Sequence, residues 1–233
     1  QYSAIIYAIL FTILFINYLY LIKNPKLLSI KSLKKIILTL LLTGVFAYPF
    51  LSHDIFNYLF NAKMVLVYGK DPHIHTALEF SHDLWIRFMH NTHTAAPYGR
   101  LFTILSLIPG FLGFGNFTLT FLLMKISNSV FYLICSYLVF ILAKKNKKNP
   151  LKSVALFALT PLFIIEIFIN GHNDSIMLAF TLLSIYLLLF QNKNIKNKIL
   201  AILSYLASIF IKYATIVLAP IYLLATKFKI DFF

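Results

Sequence analysis

An aspartate within a short polar motif is the first group in this sequence that can do chemistry. Asp54 stands in Ser52-His53-Asp54-Ile55-Phe56-Asn57-Tyr58, directly after an apolar segment. A carboxylate in such a place can act as a general base on a hydroxyl, or contact a bound cation. The alternative is that Asp54 caps the helix that follows, because aspartate is favoured at helix N-caps. The motif alone leaves both interpretations open.

A second polar cluster lies between two later apolar segments. Its sequence is Asn170-Gly171-His172-Asn173-Asp174, and Glu166 precedes it by about one helical turn. Ionisable residues at the edge of a membrane segment are candidates for function. The alternative is a short polar hairpin with no further role.

Two cationic residues beside apolar segments can bind an anion. Arg100 ends the motif Pro97-Tyr98-Gly99-Arg100, and Lys212 precedes Tyr213 in an otherwise apolar stretch. A guanidinium group matches the geometry of a phosphate, and an ammonium group can neutralise its charge. Either residue can instead be an interfacial anchor whose charged end reaches the lipid headgroups.

The histidines suggest metal binding as a further possibility. His73 and His75 can chelate on an extended segment, and His82, His90 and His93 follow shortly after. However, no pair shows the i, i+4 helical spacing with a third ligand at a fixed distance. We therefore predict no dedicated metal site and no required cofactor. A divalent metal ion is the alternative, without support from the spacing.

These residues are set in a chain that consists mostly of apolar segments. Hydrophobic residues make up 60% of the 233 residues and charged residues 12%, which is too little charge to cover a water-soluble protein. Apolar runs close to the ~20 residues that cross a bilayer recur along the chain. We predict spans at residues 2–22, 36–51, 117–143, 153–169 and 175–190, and a pair of short spans within 199–226. Because the runs are continuous, the predicted fold class is all-α, a polytopic transmembrane helical bundle of about seven spans.

The positive charges indicate how these spans are oriented. Fifteen of the 21 basic residues lie in short connectors, at 23–35, 144–152, 193–198 and 227–229. By the positive-inside rule these connectors face the cytoplasm. The net charge of +14 is therefore a signal of topology, and we predict no nucleic-acid partner.

The same orientation places most other polar residues outside. All seven histidines and six of the seven acidic residues, Asp231 excepted, fall on the outer side. Residues 52–116 form a long outer loop with juxtamembrane helices, an amphipathic one at 55–67 and an interfacial one between 97 and 115. Lys125 is near the outer end of its span, and we expect its ammonium group to reach the headgroups. The prediction is an integral protein of the plasma membrane with its site on the outer face.

The ends of the chain favour a fragment. It begins at a glutamine and stops shortly after an apolar run. The first run lacks a cleavage site and ends in lysines, as a membrane anchor does. We therefore expect residues 1–233 to form a single transmembrane domain of a longer protein. The one cysteine, Cys135, can form no intrachain disulfide.

The motifs occur in an order that resembles a known enzyme superfamily. Ser52, Asp54 and Tyr58 match Ser-x-Asp-x-x-x-Tyr in a first outer loop. The following matches are Gly69 and Pro72 (Gly-x-x-Pro), Tyr98-Gly99, Gly171-His172-Asn173-Asp174, Ile211-Lys212-Tyr213 and Pro220. This pattern, over roughly residues 45–225, resembles the C-type membrane glycosyltransferases, especially the polyprenol-phosphomannose-dependent mannosyltransferases. That family usually has Tyr-Gly-Pro where this chain has Tyr98-Gly99-Arg100.

The resemblance implies an enzyme that moves a sugar, mannose or another hexose, from a polyprenyl-phosphate carrier to a glycan or glycolipid acceptor. Asp54 is then the catalytic carboxylate, which deprotonates the acceptor hydroxyl as it attacks the anomeric carbon with inversion. Lys212, and also Arg100, would contact the carrier phosphate. The rest of the implied substrate-binding set is Tyr58, Tyr98, His172, Asn173, Asp174 and Tyr213, with His172 and Asp174 shaping the sugar or acceptor pocket.

The alternative from a different class is a multi-span transporter or channel component. Such proteins line a path at mid-membrane with polar residues, often on broken helices. Here the predicted spans carry almost no charge, and the polar groups concentrate at one face. That distribution favours catalysis at the membrane surface, in contact with the lipid bilayer.

Overall fold

The computed structural model describes residues 2–191 and 194–222, and every regular element within them is helical. The α-helices are α1 (Tyr2–Lys23), α2 (Ile30–Val45), α3 (Asp54–Leu66), α4 (Arg100–Leu112), α5 (Phe117–Lys145), α6 (Pro150–Ala158), α7 (Pro161–Ile164), α8 (Asp174–Phe190) and α9 (Ile195–Ile211). A π-helix, Ile165–Ile169, continues α7, and short 3-10 helices lie at Pro25–Leu27, Ala77–Phe80, Leu84–Phe88 and Tyr213–Leu218. The all-α fold class is confirmed. Lys193, Lys227, Lys229, Asp231 and the end of the region predicted at 199–226 lie outside the described residues.

The starts of several helices follow from local capping. Ser29 and Ser32 bond each other's backbone reciprocally at the start of α2, and the side chains of Asn116 and Asn149 accept backbone N–H groups at the starts of α5 and α6. Such caps satisfy amides that have no partner within the helix. Pro161 breaks the run predicted as one span at 153–169, so that its two halves meet at 57°, because proline lacks an amide and clashes with the preceding turn.

The second predicted span is displaced by six residues. It was expected at 36–51, but α2 covers Ile30–Val45 and the chain from 46 to 53 is not helical. The serine cap starts the helix early. Near its end α2 lies against the π-helix at Gly44, where an added Cβ would be 2.5 Å from the Cβ of Phe168. The close packing of these two elements therefore requires glycine.

Among the described residues, two helices, α1 and α5, are long and apolar enough to cross a membrane, and the bent pair formed by α6 and residues Pro161–Ile169 brings the number to three. The helices α4, α8 and Tyr213–Tyr222 are apolar but shorter. These lengths are compatible with a helical membrane protein with two or three spanning helices among the described residues. The figure of about seven spans stays a prediction.

The buried side chains form two apolar clusters that share α5. One joins α3, α4, α5 and α8 through residues such as Ile55, Phe102 and Met124. The other joins α2, α5, α6 and the π-helix, with Tyr132 and Phe168 in contact. The central position of α5 lets it support the segments on both sides, including those that carry the polar motifs.

Lys125 of α5 points into the protein. Its Nζ donates to the carbonyl oxygens of Ala47 and Ile169, each at 2.9 Å, and to that of Phe168. The residue is 1% exposed. The expectation that its ammonium group reaches the headgroups is wrong, because the carbonyls after α2 and at the end of the π-helix are nearer acceptors.

Candidate active site

Asp54 is the first residue of α3 and is held there by the buried face of that helix. Ile55, Tyr58 and Leu59 are buried beneath it, while the carboxylate remains 30% exposed. The helix N-terminus favours a negative charge at this position. Its N-cap is His53, which makes no side-chain capping bond. The Asp54 side chain instead accepts a hydrogen bond from a distant residue, which weighs against a role limited to capping.

That distant residue is Tyr98, whose hydroxyl donates to Oδ2 of Asp54 at 2.9 Å. Tyr58 packs edge-on against Tyr98, with ring centroids 4.9 Å apart. Burial and the Asp54 carboxylate raise the pKa of Tyr98, and burial with the neighbouring Tyr98 and Asp54 raises the pKa of Tyr58. Both phenols therefore stay protonated, and Tyr98 acts as a permanent donor that orients the carboxylate.

The second polar motif is positioned by the π-helix and by α5. The wider π turn places Glu166 so that its carbonyl accepts from the His172 amide at 2.8 Å. Gly171 adopts a φ of 75°, and an added Cβ would lie 2.6 Å from Cδ1 of Ile55. Asn128 of α5 donates to the Gly171 carbonyl. Helices of the π type are often found at functional sites, and here the turn brings the motif against the start of α3.

His172 lies between three carboxylates. Its Nδ1 is 2.8 Å from Oε2 of Glu166 and 3.9 Å from Oδ2 of Asp174, and its Nε2 is 3.8 Å from Oδ2 of Asp54. Nε2 is buried and has no hydrogen-bond partner within the described part of the chain. The short contact to Glu166 fits an Nδ1–H donor. Nε2 is then the nitrogen that faces Asp54, 3.8 Å from its Oδ2.

Asp174 extends this set of side chains to Lys212. The Lys212 Nζ contacts both carboxylate oxygens of Asp174, at 2.8 and 3.0 Å. The backbone next to Lys212 is fixed by the Tyr98-Gly99 motif, because the Gly99 amide donates to the Ile211 carbonyl at 3.1 Å. An added Cβ at Gly99 would be 1.9 Å from the Phe210 carbonyl oxygen. Glycine is therefore required where these two motifs meet.

A cleft of about 600 Å³ opens beside this polar set. Glu166, His172 and Asp174 line it together with apolar residues of α6, α7 and α8. The polar groups are partly accessible, with side-chain exposures of 20% for His172, 28% for Asp174 and 29% for Glu166. Such a cleft can hold a molecule with a polar and an apolar part.

The remaining predicted site residues lie in different surroundings. Asn173 is fully buried beside His172, and neither polar atom of its side chain has a partner in the described residues. Tyr213 is 53% exposed. Arg100 pairs with Asp71 at 2.7 Å and lines a separate cleft. The structure thus brings Asp54, Tyr58, Tyr98, His172, Asp174 and Lys212 into one set of contacts, and Arg100 and Tyr213 make none of these contacts.

Some residues of the site were not predicted as such. Glu166 was noted beside the polar motif but not assigned to the site, although it makes the closest contact of His172. Asn128 and Lys125 were not connected with it at all. Their polar character within an apolar run was the available signal. Across residues 2–191 and 194–222, no group of three or more His, Cys, Asp or Glu is arranged to hold a metal ion.

Comparison with known proteins identifies the family to which this chain is similar. Residues 1–227 match the model of the family described as alpha-(1->6)-mannopyranosyltransferase, N-terminal domain. No curated protein and no solved structure matches the chain. The match fits a mannosyltransferase of the C-type glycosyltransferase kind, and it favours an enzyme over the transporter alternative. Because the match covers nearly the whole chain, this protein belongs to the alpha-(1->6)-mannopyranosyltransferase family, N-terminal domain.

Proposed function

We propose that this glycosyltransferase moves mannose from a polyprenyl-phosphate carrier to a hydroxyl of a glycan or glycolipid on the outer face of the plasma membrane, with inversion. The observation that carries the proposal is the contact series Asp54, His172, Asp174 and Lys212. These residues come from three separate motifs, and they bring a base, a polar pocket and a cation to one place.

Asp54 is the proposed general base. Tyr98 occupies Oδ2, and Oδ1 accepts no hydrogen bond from the described residues. An acceptor hydroxyl that reaches the exposed part of the Asp54 carboxylate can give its proton to it as its oxygen bonds the anomeric carbon. The bond from that carbon to the phosphate oxygen breaks, and polyprenyl phosphate leaves with the electron pair. Attack from the face opposite the phosphate inverts the anomeric configuration.

The charge of the site suits this substitution. Asp54, Glu166 and Asp174 carry three negative charges against the one positive charge of Lys212, with His172 adding a second when protonated. Positive charge develops at the anomeric carbon when a glycosidic bond breaks. Fixed carboxylates around it stabilise that charge better than they stabilise the neutral sugar.

Lys212 is the proposed partner of the carrier phosphate. An ammonium group has three N–H donors, and the two oxygens of Asp174 can take two of them. The third can meet a phosphate oxygen and stabilise the leaving group. Asp174 at the same time fixes where the ammonium group points.

The apolar wall of the 600 Å³ cleft is the proposed site of the isoprenoid chain. It is made by the side chains of Leu156, Phe157, Leu162, Phe163 and Leu178, and the polar motif lies at the same cleft. The bend at Pro161 sets the two halves of the broken helix at 57°. A lipid tail buried there leaves the phosphate near the charged residues.

The membrane arrangement completes the proposal. The lysine connectors favour a cytoplasmic side opposite the residues of the site. A single transmembrane domain of about seven spans, with residues 52–116 outside, would place Asp54 at the level of the outer headgroups. There it can meet both a carrier in the bilayer and an acceptor beyond it.

The test is transfer of labelled mannose from polyprenyl-phosphate mannose to a glycan acceptor in membranes that contain the chain or its variants. We expect Asp54→Asn to lower the rate by a factor of about 10²–10⁴, the range of general base catalysis, with unchanged protein level. Glu79→Gln is the matched control, because Glu79 is an exposed carboxylate of the outer loop that pairs with His75.

Two further arms make the test specific. A nucleotide sugar in place of the carrier-linked sugar should give no transfer, and EDTA should leave transfer intact, since the proposed reaction uses Lys212 and no resident metal ion. Wild-type transfer by Asp54→Asn would refute the assignment of the base. Transfer from the nucleotide sugar alone would refute the assignment of the donor.

A further inference from the structure

A second cleft, of about 350 Å³, lies between the end of α3 and α4. Lys70, His73 and Arg100 line one part of it, and Val65, Ile104 and Leu107 line another. Within the described residues, no hydrogen-bond or ion-pair partner of the Asp54, His172 or Lys212 side chains lines this cleft. It is therefore separate from the site assigned to mannose transfer.

The charged part of this cleft is built around Asp71. One carboxylate oxygen accepts from Arg100 Nη1 at 2.7 Å and the other accepts from the His73 amide at 2.9 Å. The His73 amide and the Arg100 guanidinium hold the pKa of Asp71 below its usual range. Asp71 thus remains ionised and fixes the direction of Arg100.

The ion pair between Asp71 and Arg100 leaves cationic N–H donors of the cleft available to a ligand. The Arg100 side chain is 65% exposed, and its guanidinium has five N–H donors, of which Nη1 alone contacts Asp71. Lys70 is exposed and forms no ion pair within the described residues. The two cations Lys70 and Arg100 outnumber the single carboxylate of Asp71, so the lining of the cleft carries a net positive charge that favours an anion.

The cleft continues into an exposed apolar strip on α4. Ile104, Ile108 and Phe111 are 58%, 60% and 67% exposed, and their i, i+4, i+7 spacing puts them on one face of the helix. His73 Nε2 and Thr103 Oγ1, 2.9 Å apart, connect the basic turn to the same helix. A phosphate at the basic end would thus have its hydrocarbon chain directed along an apolar surface.

We propose that this cleft binds the phosphate of an anionic phospholipid of the surrounding bilayer, with an acyl chain along the strip of α4. Guanidinium and ammonium groups at the interface attract anionic headgroups, and interfacial helices bury their apolar face among acyl chains. The lipid would hold α4 and the turn before it at the membrane surface. This site goes beyond the proposed sugar transfer and does not depend on it.

The experiment measures lipid binding to the full chain purified in a neutral detergent, by native mass spectrometry. Dioleoyl phosphatidylglycerol is the anionic probe, and dioleoyl phosphatidylcholine is the zwitterionic comparison. We expect Lys70→Gln to weaken phosphatidylglycerol binding about five-fold and Lys70→Gln with Arg100→Gln to weaken it about twenty-five-fold. Lys145→Gln is the matched control, since it removes an exposed lysine far along the chain at the end of α5, and binding should be unchanged.

Several outcomes would overturn the proposal. These are equal binding of the two lipids, unchanged binding by the double variant, or an equal loss with Lys145→Gln. Inorganic phosphate that competes as well as the lipid would also reject a lipid site, because it would show that the apolar strip contributes nothing. Lys70→Gln should fold normally, since within the described part of the chain only the backbone amide of Lys70 makes a hydrogen bond, to Met64. This single variant keeps the test valid if Arg100→Gln does not fold.

Discussion

Replacing Lys125 with methionine tests whether a residue that touches no substrate positions the site. Lys125 Nζ donates to the carbonyls of Ala47, Phe168 and Ile169. The last two form the end of the π-helix, directly before the motif that carries His172. Methionine keeps most of the side-chain volume but has no donor, so the change removes these bonds with little change in packing.

The expected magnitude follows from the three carbonyl oxygens. Leaving one partner unsatisfied in a protein interior costs about 1–3 kcal/mol. Even the lower value for each oxygen gives about 3 kcal/mol, a large part of a folding free energy of about 5–15 kcal/mol. Because the loss concentrates at Phe168 and Ile169, the polar motif should move relative to Asp54. A displacement of about 1 Å in catalytic geometry can lower a rate about a hundred-fold.

The assay is mannose transfer from polyprenyl-phosphate mannose, together with thermal unfolding of the purified chain. We expect Lys125→Met to lower kcat by one to two orders of magnitude, with a smaller change in KM for the donor. Ser129→Ala is the control. Its hydroxyl lies one turn along α5 and donates only to the Lys125 carbonyl, so transfer should be nearly unchanged.

Two outcomes would refute this reasoning. Lys125→Met with wild-type kcat would show that the polar motif keeps its place without the ammonium group. An equal loss in Ser129→Ala would show that any change in this part of α5 disturbs the bundle, without a specific role for the three carbonyl contacts.

Two further predictions concern the backbone and the outer loop. Gly99→Ala should lower mannose transfer about ten- to a hundred-fold in the same assay, because the added Cβ would be 1.9 Å from the Phe210 carbonyl oxygen. Wild-type activity of this variant would show that the two motifs do not need this close contact. Burial acts to raise the pKa of Asp83, but hydrogen bonds from Lys63, the Trp85 amide and Tyr68 outweigh it and hold the pKa below its usual 3.8. A carboxyl group whose pKa is lower in the folded than in the unfolded state stabilises the fold at a pH above its unfolded-state pKa. This stabilisation is lost as the pH falls through its folded-state pKa. The melting temperature of the protein should therefore fall as the pH drops below 3.8. Asp83→Asn should be less stable at neutral pH, and its melting temperature should change less with pH in the acid range. An acid dependence of the melting temperature equal to that of the wild type would contradict this role of Asp83.

Most helices could be predicted from local features of the sequence. The segments expected at 117–143 and 175–190 are within two residues of α5 and α8, because a long apolar run and its polar ends are both local signals. The boundaries predicted for the second span were wrong, because a serine cap and contact with the π-helix determine where α2 lies. The break at Pro161 was not predicted, although the proline was visible, because apolar composition alone does not register a bend.

The residues of the candidate site were found by the types and order of their motifs. Asp54, His172, Asp174 and Lys212 were all predicted, and their contacts support one site. Their roles remain proposals. The position of Glu166 beside His172 depends on the wider turn of the π-helix. No local sequence pattern predicted this π turn. The same holds for Asn128, whose contact is with a carbonyl from a distant segment.

Composition and the order of short motifs were sufficient to predict an all-α chain of the mannosyltransferase kind, since each is a property of residue types along the chain. The partner of each charged side chain could be determined only from the tertiary structure. Lys125, expected at the headgroups, binds carbonyls inside the protein. Arg100, expected at the carrier phosphate, pairs with Asp71 on another cleft, although Gly99 beside it contacts the residue before Lys212. Electrostatic and hydrogen-bond energies depend on distances of a few ångströms in space, and those distances are set by how the helices pack.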